Sequence, residues 1–132
     1  MNVPKWISPL FRIAAAYDGV LGVLFLAAPE WVFAQLNVPP PNHVAYVQFP
    51  AALLVIFGLI FVAIARDPLA NRGQILYGIL LKVAYCSLAF YYWITTDIPW
   101  IWKPFAWIDV VMGVLFVIAY STLSASGEGS RD

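Results

Sequence analysis

Three charged residues stand inside long apolar stretches of this sequence, where charge is costly. Lys82 lies near the middle of the apolar run 71–96, and Asp18 and Asp109 lie inside two other apolar runs. A charged side chain at the centre of a bilayer costs about 2.5–3.5 kcal/mol on insertion scales, so it persists where it faces the protein interior and meets an opposite charge or a dipole. We therefore predict that Lys82 contacts one or both aspartates.

This predicted charge cluster of Asp18, Lys82 and Asp109 has two interpretations. Ionisable residues at membrane depth commonly act as a proton relay or as counter-ions for a ligand. Alternatively, a buried ion pair fixes the arrangement of helices without adding stability. The sequence leaves both interpretations open.

Four other residues are of types that hydrogen-bond a lipid-soluble ring such as a quinone. They are His43, Tyr46 and Gln48 near the start of the second predicted helix, and Tyr85 in the third. The alternative is an ordinary helix start at the membrane interface, where aromatic and amide side chains are common without any ligand. The sequence favours this second interpretation for the three residues of the second helix.

Several other chemistries lack the residues that they require. Cys86 is the only cysteine and His43 the only histidine. The chain therefore has no disulfide or CxxC pair, and too few histidines for a haem or a catalytic zinc. We interpret Cys86 as an inert core residue. Because no catalytic nucleophile, metal set or cofactor loop is recognisable, we expect no catalytic residues and no metal, and we favour a protein that is not an enzyme.

The composition indicates which elements must position these residues. The chain is 63% hydrophobic and 11% charged, with a mean hydropathy of +0.83. Such a chain has too few charges to cover the surface of a soluble domain of its size. We therefore predict an integral membrane protein whose partner is the lipid bilayer. The formal net charge is zero, which offers no basic surface for nucleic acid.

The apolar segments predict an all-α, polytopic fold, with a single four-helix transmembrane bundle over residues 1–123. The expected helices cover about 9–28, 42–65, 71–96 and 103–123. Residues 29–42 contain three consecutive prolines and predict a re-entrant or surface segment. Ser8 followed by Pro9 predicts a capped start for the first helix. Residues 124–132 are rich in Ser and Gly and predict a disordered tail.

Small residues accompany the charges along the predicted helices. Ala15, Gly19 and Gly22 surround the first aspartate, while Gly78 and Gly113 lie near the lysine and the second aspartate at helical spacings. Small side chains let the backbones of neighbouring membrane helices approach closely. The polar faces of these helices are therefore predicted to point into the bundle.

Positively charged residues are distributed unequally between the two ends of the predicted spans. The side shared by both termini has five, against one on the opposite side, and these are Lys5, Arg12, Arg66, Arg72 and Arg131 against Lys103. Loops rich in Lys and Arg stay on the cytoplasmic side of a membrane. We therefore expect both termini to be cytoplasmic.

The order of several short motifs resembles that of the DoxX-like group, which are small bacterial four-helix membrane proteins. The motifs are Phe11-Arg12, Asp18-Gly19, a proline-broken first loop, Ala65-Arg66-Asp67-Pro68 and Leu81-Lys82. The resemblance covers the organisation of residues 9–120 and implies the four-helix fold and a location in the bacterial inner membrane. Members named after the group's founding example are associated with quinol oxidation and thiosulfate-dependent electron transfer. This implies an accessory membrane subunit beside a redox partner, although no family catalytic motif carries over to this chain.

Two functional hypotheses follow from the sequence. The first is an accessory or scaffold subunit of a quinone-linked electron-transfer assembly, within a larger membrane complex or a homo-oligomer. The second is a proton-coupled carrier or binder of a small apolar ligand that uses the intramembrane carboxylates. Asp18 is similar to the essential acid in the first helix of small multidrug transporters, whereas Lys82 and the longer loops differ from that class. No cofactor is predicted, and either hypothesis allows a lipid or a quinone as the ligand.

Overall fold

A computed structural model describes the backbone of residues 3–129 and the side chains as far as Ser124. Within these residues the chain forms five helices: α1 (Ile7–Ala27), α2 (Pro29–Leu36), α3 (Ala45–Arg66), α4 (Arg72–Thr95) and α5 (Trp102–Gly129). All except α2 are long and apolar enough to cross a membrane, since a span needs about 20 apolar residues. The prediction of an all-α membrane protein with four spans is confirmed.

The start of α1 differs from the sequence prediction. The helix begins at Ile7, and its N-cap position, Trp6, makes no side-chain capping bond. The Ser8 hydroxyl instead donates a hydrogen bond to the Ala65 carbonyl at 2.8 Å. The prediction of Ser8 as the cap is therefore wrong, because its hydroxyl joins the start of α1 to the end of α3.

The last helix extends further than the sequence predicts. The backbone of residues 124–129 is helical, where the sequence predicts a disordered tail over 124–132. Extending a helix that has already formed costs little, and Ala125 and Glu128 are good helix formers. The prediction of a disordered tail rested on the serines and glycines of this segment. Residues 130–132 lie outside the described part of the chain.

The four spans form two antiparallel pairs, because α1 packs most extensively with α3, and α4 with α5. The start of α1, the turn between α3 and α4, and the end of α5 lie on one side of the bundle, which we call the terminal side. The opposite side, which we call the loop side, holds residues 28–44 and 96–101. Small residues set the spacing of the first pair: a Cβ atom at Gly22 would lie 2.7 Å from the Ala51 carbonyl oxygen.

A core of phenylalanines fills the terminal half of the bundle. Phe11, Phe61 and Phe116 are fully buried. The ring of Phe116 stacks on Phe11 with 4.7 Å between centroids and lies 5.3 Å from the ring of Phe61. Gly78 makes room for this core, since a Cβ atom there would come within 2.8 Å of the Phe61 ring. The interior space of the bundle is therefore on the loop side.

Hydrogen bonds from side chains to the backbone hold the loop side together. The short helix α2 ends at Leu36 and is followed by Asn37, whose φ of 54° is left-handed, a conformation that asparagine tolerates better than most residues. The Trp100 indole donates to the Leu36 carbonyl at 3.1 Å. This bond joins the end of α2 to the connection between α4 and α5, so that both segments lie over the same end of the bundle.

Candidate functional site

Lys82 contacts both aspartates in the middle of the bundle. Its Nζ donates hydrogen bonds to Asp18 Oδ1 at 3.3 Å, to Asp18 Oδ2 at 3.2 Å and to Asp109 Oδ1 at 3.1 Å. The side chains of Lys82 and Asp18 are 2% exposed, and that of Asp109 is 10% exposed. Because an ammonium group has three N–H donors, these three oxygens use all of them.

Two neighbours position the lysine. A Cβ atom at Gly113 would lie 3.3 Å from the Lys82 Cβ, so the glycine lets the backbone of α5 pass close to the lysine stem. The Lys82 Nζ lies 5.3 Å from the centre of the Tyr17 ring. At this distance the face of an aromatic ring attracts a cation. Helices α1, α4 and α5 therefore all contribute to the charge cluster.

The two aspartates are bonded differently, and this leaves one oxygen without a partner. Asp18 uses both oxygens on Lys82, whereas Asp109 uses only Oδ1. In the described part of the chain, no fully buried side-chain oxygen or nitrogen lacks a hydrogen-bond partner. Because Asp109 Oδ2 has no partner among the described residues, it must be accessible from the space beside it.

That space is a cavity of about 520 Å³ on the loop side of the charge cluster. Its floor is formed by Asp18, Lys82 and Asp109. Its lining is otherwise mostly apolar or aromatic, and includes Tyr17, Leu21, Phe25, Phe33, Leu36, Val47, Pro50, Leu54, Leu81, Trp102 and Phe105. The cavity is partly open, and residues of α2 are part of its lining. The buried phenylalanine core lies on its terminal side.

Two of the four residues predicted as ring contacts line this cavity. Tyr46 and Tyr85 are part of its wall. The Tyr85 hydroxyl donates to the Trp102 carbonyl at 3.1 Å, and the two rings stack with 5.3 Å between centroids. Tyr85 therefore supplies a fixed aromatic surface, and its hydroxyl proton is already used within the protein.

The other two, His43 and Gln48, are not among the residues that line the cavity. His43 Nδ1 accepts a hydrogen bond from the Ala45 backbone N–H at 3.1 Å. Gln48 Nε2 donates to the Leu26 carbonyl at 3.1 Å. One polar atom of each side chain is therefore bonded to the backbone, that of His43 near the start of α3 and that of Gln48 across to α1.

The part of the cavity wall that α1 provides was not predicted from the sequence. Tyr17, Leu21 and Phe25 follow one another at intervals of four residues and therefore share one helix face, and all three line the cavity. This face lies beside that of Asp18. The spacing is visible in the sequence, but a stripe of large apolar residues in a membrane helix is equally typical of a lipid-facing or a packed surface.

The structure adds no further reactive group to the site. The Cys86 thiol donates a weak hydrogen bond to the Ala106 carbonyl, with 3.6 Å between sulfur and oxygen, and Cys86 does not line the cavity. Among the described residues, no group of three or more His, Cys, Asp or Glu side chains is placed to hold a metal ion. The chemistry that the site offers is hydrogen bonding, charge and apolar burial.

Comparisons with models of known protein families, with curated proteins and with solved structures found no match to this chain. The resemblance to the DoxX-like group therefore stays a prediction. We therefore infer the function of the site from the geometry of the charge cluster and the cavity.

Proposed function

We propose that this integral membrane protein binds one small, mainly apolar molecule in the cavity, with a polar end of the molecule at the charge cluster. The observation that carries the proposal is a cavity of about 520 Å³ with apolar walls and three ionisable side chains at its floor. Ligand sites are typically concave, have volumes of about 300–1,000 Å³, and combine an apolar lining with a few polar groups. The walls favour burial of an apolar body, and the floor orients it.

The size of the cavity supports an occupant. Side chains that line an empty space lose the dispersion contacts that close packing provides, and protein interiors are normally packed as densely as organic crystals. A ligand, or part of a lipid, that filled an apolar space of this size would restore these contacts. The polar floor favours a molecule that carries a polar group over a plain acyl chain.

The closed terminal half supports a binding site that is reached from one side. Phe11, Phe61 and Phe116 lie between the charge cluster and the terminal side, and all three are fully buried. Passage of a ligand across the membrane would require this core to separate, as in transporters that expose a central site to each side in turn. Binding is therefore the function that we propose, and proton-coupled transport would be an extension of it.

An accessory subunit of a quinone-linked assembly is the second candidate. The observation that favours it is the aromatic part of the lining, in which Tyr85 and Trp102 stack with 10° between their planes and Tyr17 meets Phe105 edge to face. Planar rings pack well against such surfaces. In this role the chain would hold a quinone for a redox partner in the bacterial inner membrane, a location that we propose from the resemblance to the DoxX-like group.

The test is purification of the chain in a mild detergent, followed by organic extraction and mass spectrometry. We expect one compound, distinct from bulk membrane lipid, at close to one molecule per chain. Recovery of only bulk lipids, in their ordinary proportions, would contradict the proposal. Recovery of a quinone together with a redox enzyme would favour the second candidate over the first.

A further inference from the structure

We propose that the molecule bound in the cavity is a lipophilic cation, and that it competes with one proton for Asp109. This inference rests on the proposed function, since it specifies the class of ligand that the same cavity takes. Its starting point is the charge of the floor. One lysine and two aspartates carry a net charge of −1 when all three are ionised, and all three are buried.

A net charge at this depth needs compensation. An isolated charge near the centre of a membrane is costly, and Lys82 already uses its three donors on the two aspartates. The floor therefore takes up one further positive charge, either as a proton or as the charged group of a ligand. An anionic ligand would add to the excess negative charge. With a neutral ligand, a proton would have to neutralise that charge.

The open position for this positive charge is Asp109 Oδ2. Both oxygens of Asp18 accept hydrogen bonds from Lys82, whereas Asp109 accepts through Oδ1 alone. The Asp109 side chain is 10% exposed and lines the cavity. A cationic group at the floor would therefore meet Oδ2 first.

The other titratable groups near Asp109 do not supply the missing charge. Tyr17 of α1, Tyr46 of α3 and Tyr85 of α4 line the cavity, and Cys86 of α4 hydrogen-bonds to the backbone of α5. Phenols and thiols are neutral in their protonated form and become anionic when they ionise. Among the described residues that line the cavity, Lys82 is the only cation.

The walls of the cavity suit a cation that carries apolar substituents. The stacked pair of Tyr85 and Trp102 and the edge-to-face pair of Tyr17 and Phe105 lie above the floor. Aromatic faces attract alkylated ammonium groups, which lose little hydration when they are buried. The aromatic lining and the net negative floor therefore favour the same class of ligand.

Competition with a proton fixes the direction of the pH dependence. At high pH the floor is unprotonated and binds the cation directly. Below the pH at which the site takes up its proton, the apparent affinity for the cation should fall by about tenfold per pH unit, because one proton must leave for each cation bound. In that lower range, binding should release about one proton per chain into a weakly buffered solution.

The experiment compares two probes of the same shape, phenyltrimethylammonium and its neutral isostere tert-butylbenzene. Each is titrated into the purified chain in lipid nanodiscs, and empty nanodiscs correct for partition into lipid. The quaternary cation has no proton of its own to lose, so any proton released comes from the protein. We expect the cation to bind at least about tenfold more tightly than the isostere at pH 8, which corresponds to about 1.4 kcal/mol.

Three variants assign the effect to Asp109. Asp109→Asn should remove the preference for the cation and the release of the proton, while Asp109→Glu should keep both. The matched control is Asp97→Asn, which makes the same chemical change at an exposed position outside the cavity lining and should behave as the wild type does. The proton release of the wild type tests the inference even if Asp109→Asn does not fold.

The outcomes separate this inference from the proposed function. Equal binding of the two probes, or binding of the cation without proton release at any pH, would overturn the inference and leave a neutral ligand in the cavity. Binding of neither probe by the folded wild type would count against the inference too. If the purified chain also carries no ligand beyond bulk lipid, the proposed function itself fails.

Discussion

At the scale of single residues, Lys82 explains why two aspartates are buried in a membrane-spanning bundle. Its ammonium group lies within 3.3 Å of three carboxylate oxygens on α1 and α5. Burial of an ion pair costs more solvation than the attraction returns unless the geometry is good and the remaining donors are satisfied. All three N–H donors are satisfied here, so the cluster sets the relative position of the helices at this depth.

The first prediction concerns the pair of Lys82 and Asp109. Lys82→Met should lower the free energy of unfolding in detergent micelles by about 3–5 kcal/mol, because it leaves two buried carboxylates without their cation. Adding Asp109→Asn should recover part of this loss. The measurement is a double-mutant cycle, from which we expect a coupling energy of about 1–3 kcal/mol.

A matched control for this cycle is Lys103→Met with Asp97→Asn, a pair on the loop side with no ion pair between them. The control changes should add without coupling. If Lys82→Met and Asp109→Asn are also additive, the two charges do not meet in the folded protein. The same cycle with Asp18→Asn tests the other half of the cluster.

At the scale of the helices, close packing of α1 against α3 determines the position of the α1 residues that line the cavity. A Cβ atom at Gly58 would lie 3.2 Å from the Gly19 Cα, and one at Gly22 would lie 2.9 Å from the Val55 backbone nitrogen. Small residues at such contacts are the usual means by which membrane helices approach one another. The α1 residues that face the cavity are therefore positioned by glycines on the same helix.

The second prediction compares two glycines of α1. Gly22→Ala should reduce the free energy of unfolding by about 1–3 kcal/mol, because its methyl group would overlap the backbone of α3. Gly19→Ala places the same methyl group where nothing lies within 4 Å. It should leave stability unchanged or raise it by up to about 1 kcal/mol through helix propensity. The measurement is thermal or denaturant unfolding of both variants. Equal losses of unfolding free energy would contradict the packing described for α1 and α3.

The number of spans and the depth of the charges could be predicted from the sequence. Long apolar runs identify membrane helices by length alone, and a rise of about 1.5 Å per residue fixes the depth of Asp18, Lys82 and Asp109 along their helices. In the structure these three residues are in contact. One buried lysine with only two intramembrane carboxylates leaves few ways to satisfy its charge.

The cavity could not be predicted in the same way. It depends on the sparse packing between the two helix pairs and on how α2 lies over the bundle, and neither property follows from the period of a single helix. His43 and Gln48 illustrate the difficulty, since one polar atom of each bonds to the backbone, at the Ala45 N–H and at the Leu26 carbonyl of α1, and neither residue lines the cavity. Residue type allowed a ligand contact, although the sequence favoured an ordinary helix start.

At the scale of the whole molecule, the bundle is divided into a filled half and an open half. The phenylalanine core fills the terminal half, the charge cluster lies between the halves, and the cavity occupies the loop half. If the terminal side is cytoplasmic, as the distribution of Lys and Arg indicates, a ligand reaches the site from the outer side of the membrane or from the outer leaflet.

The third prediction tests this orientation. Single cysteines at Pro40 and at Ser124, in a Cys86→Ala background, should react differently with a membrane-impermeant thiol reagent on intact cells. Pro40→Cys lies at an exposed position on the loop side and should be labelled. Ser124→Cys, on the terminal side, should be protected until the cells are opened. Labelling of both positions, or of Ser124→Cys alone, would contradict the orientation.

The proposed ligand site is this cavity and no other surface of the bundle. Leu54 lines the cavity, whereas its neighbour Leu53 does not and is 40% exposed. Leu54→Trp should fill part of the cavity, and Leu53→Trp makes the same change on the surface. Val47→Trp is a second change within the cavity lining.

The decisive measurement is the amount of compound that co-purifies with each folded variant in mild detergent, by mass spectrometry of the extract. We expect close to one molecule per chain for the wild type and for Leu53→Trp. We expect a loss of at least about tenfold for Leu54→Trp and Val47→Trp, because the added indole displaces the ligand. Equal ligand content in all four proteins would contradict the proposed ligand site.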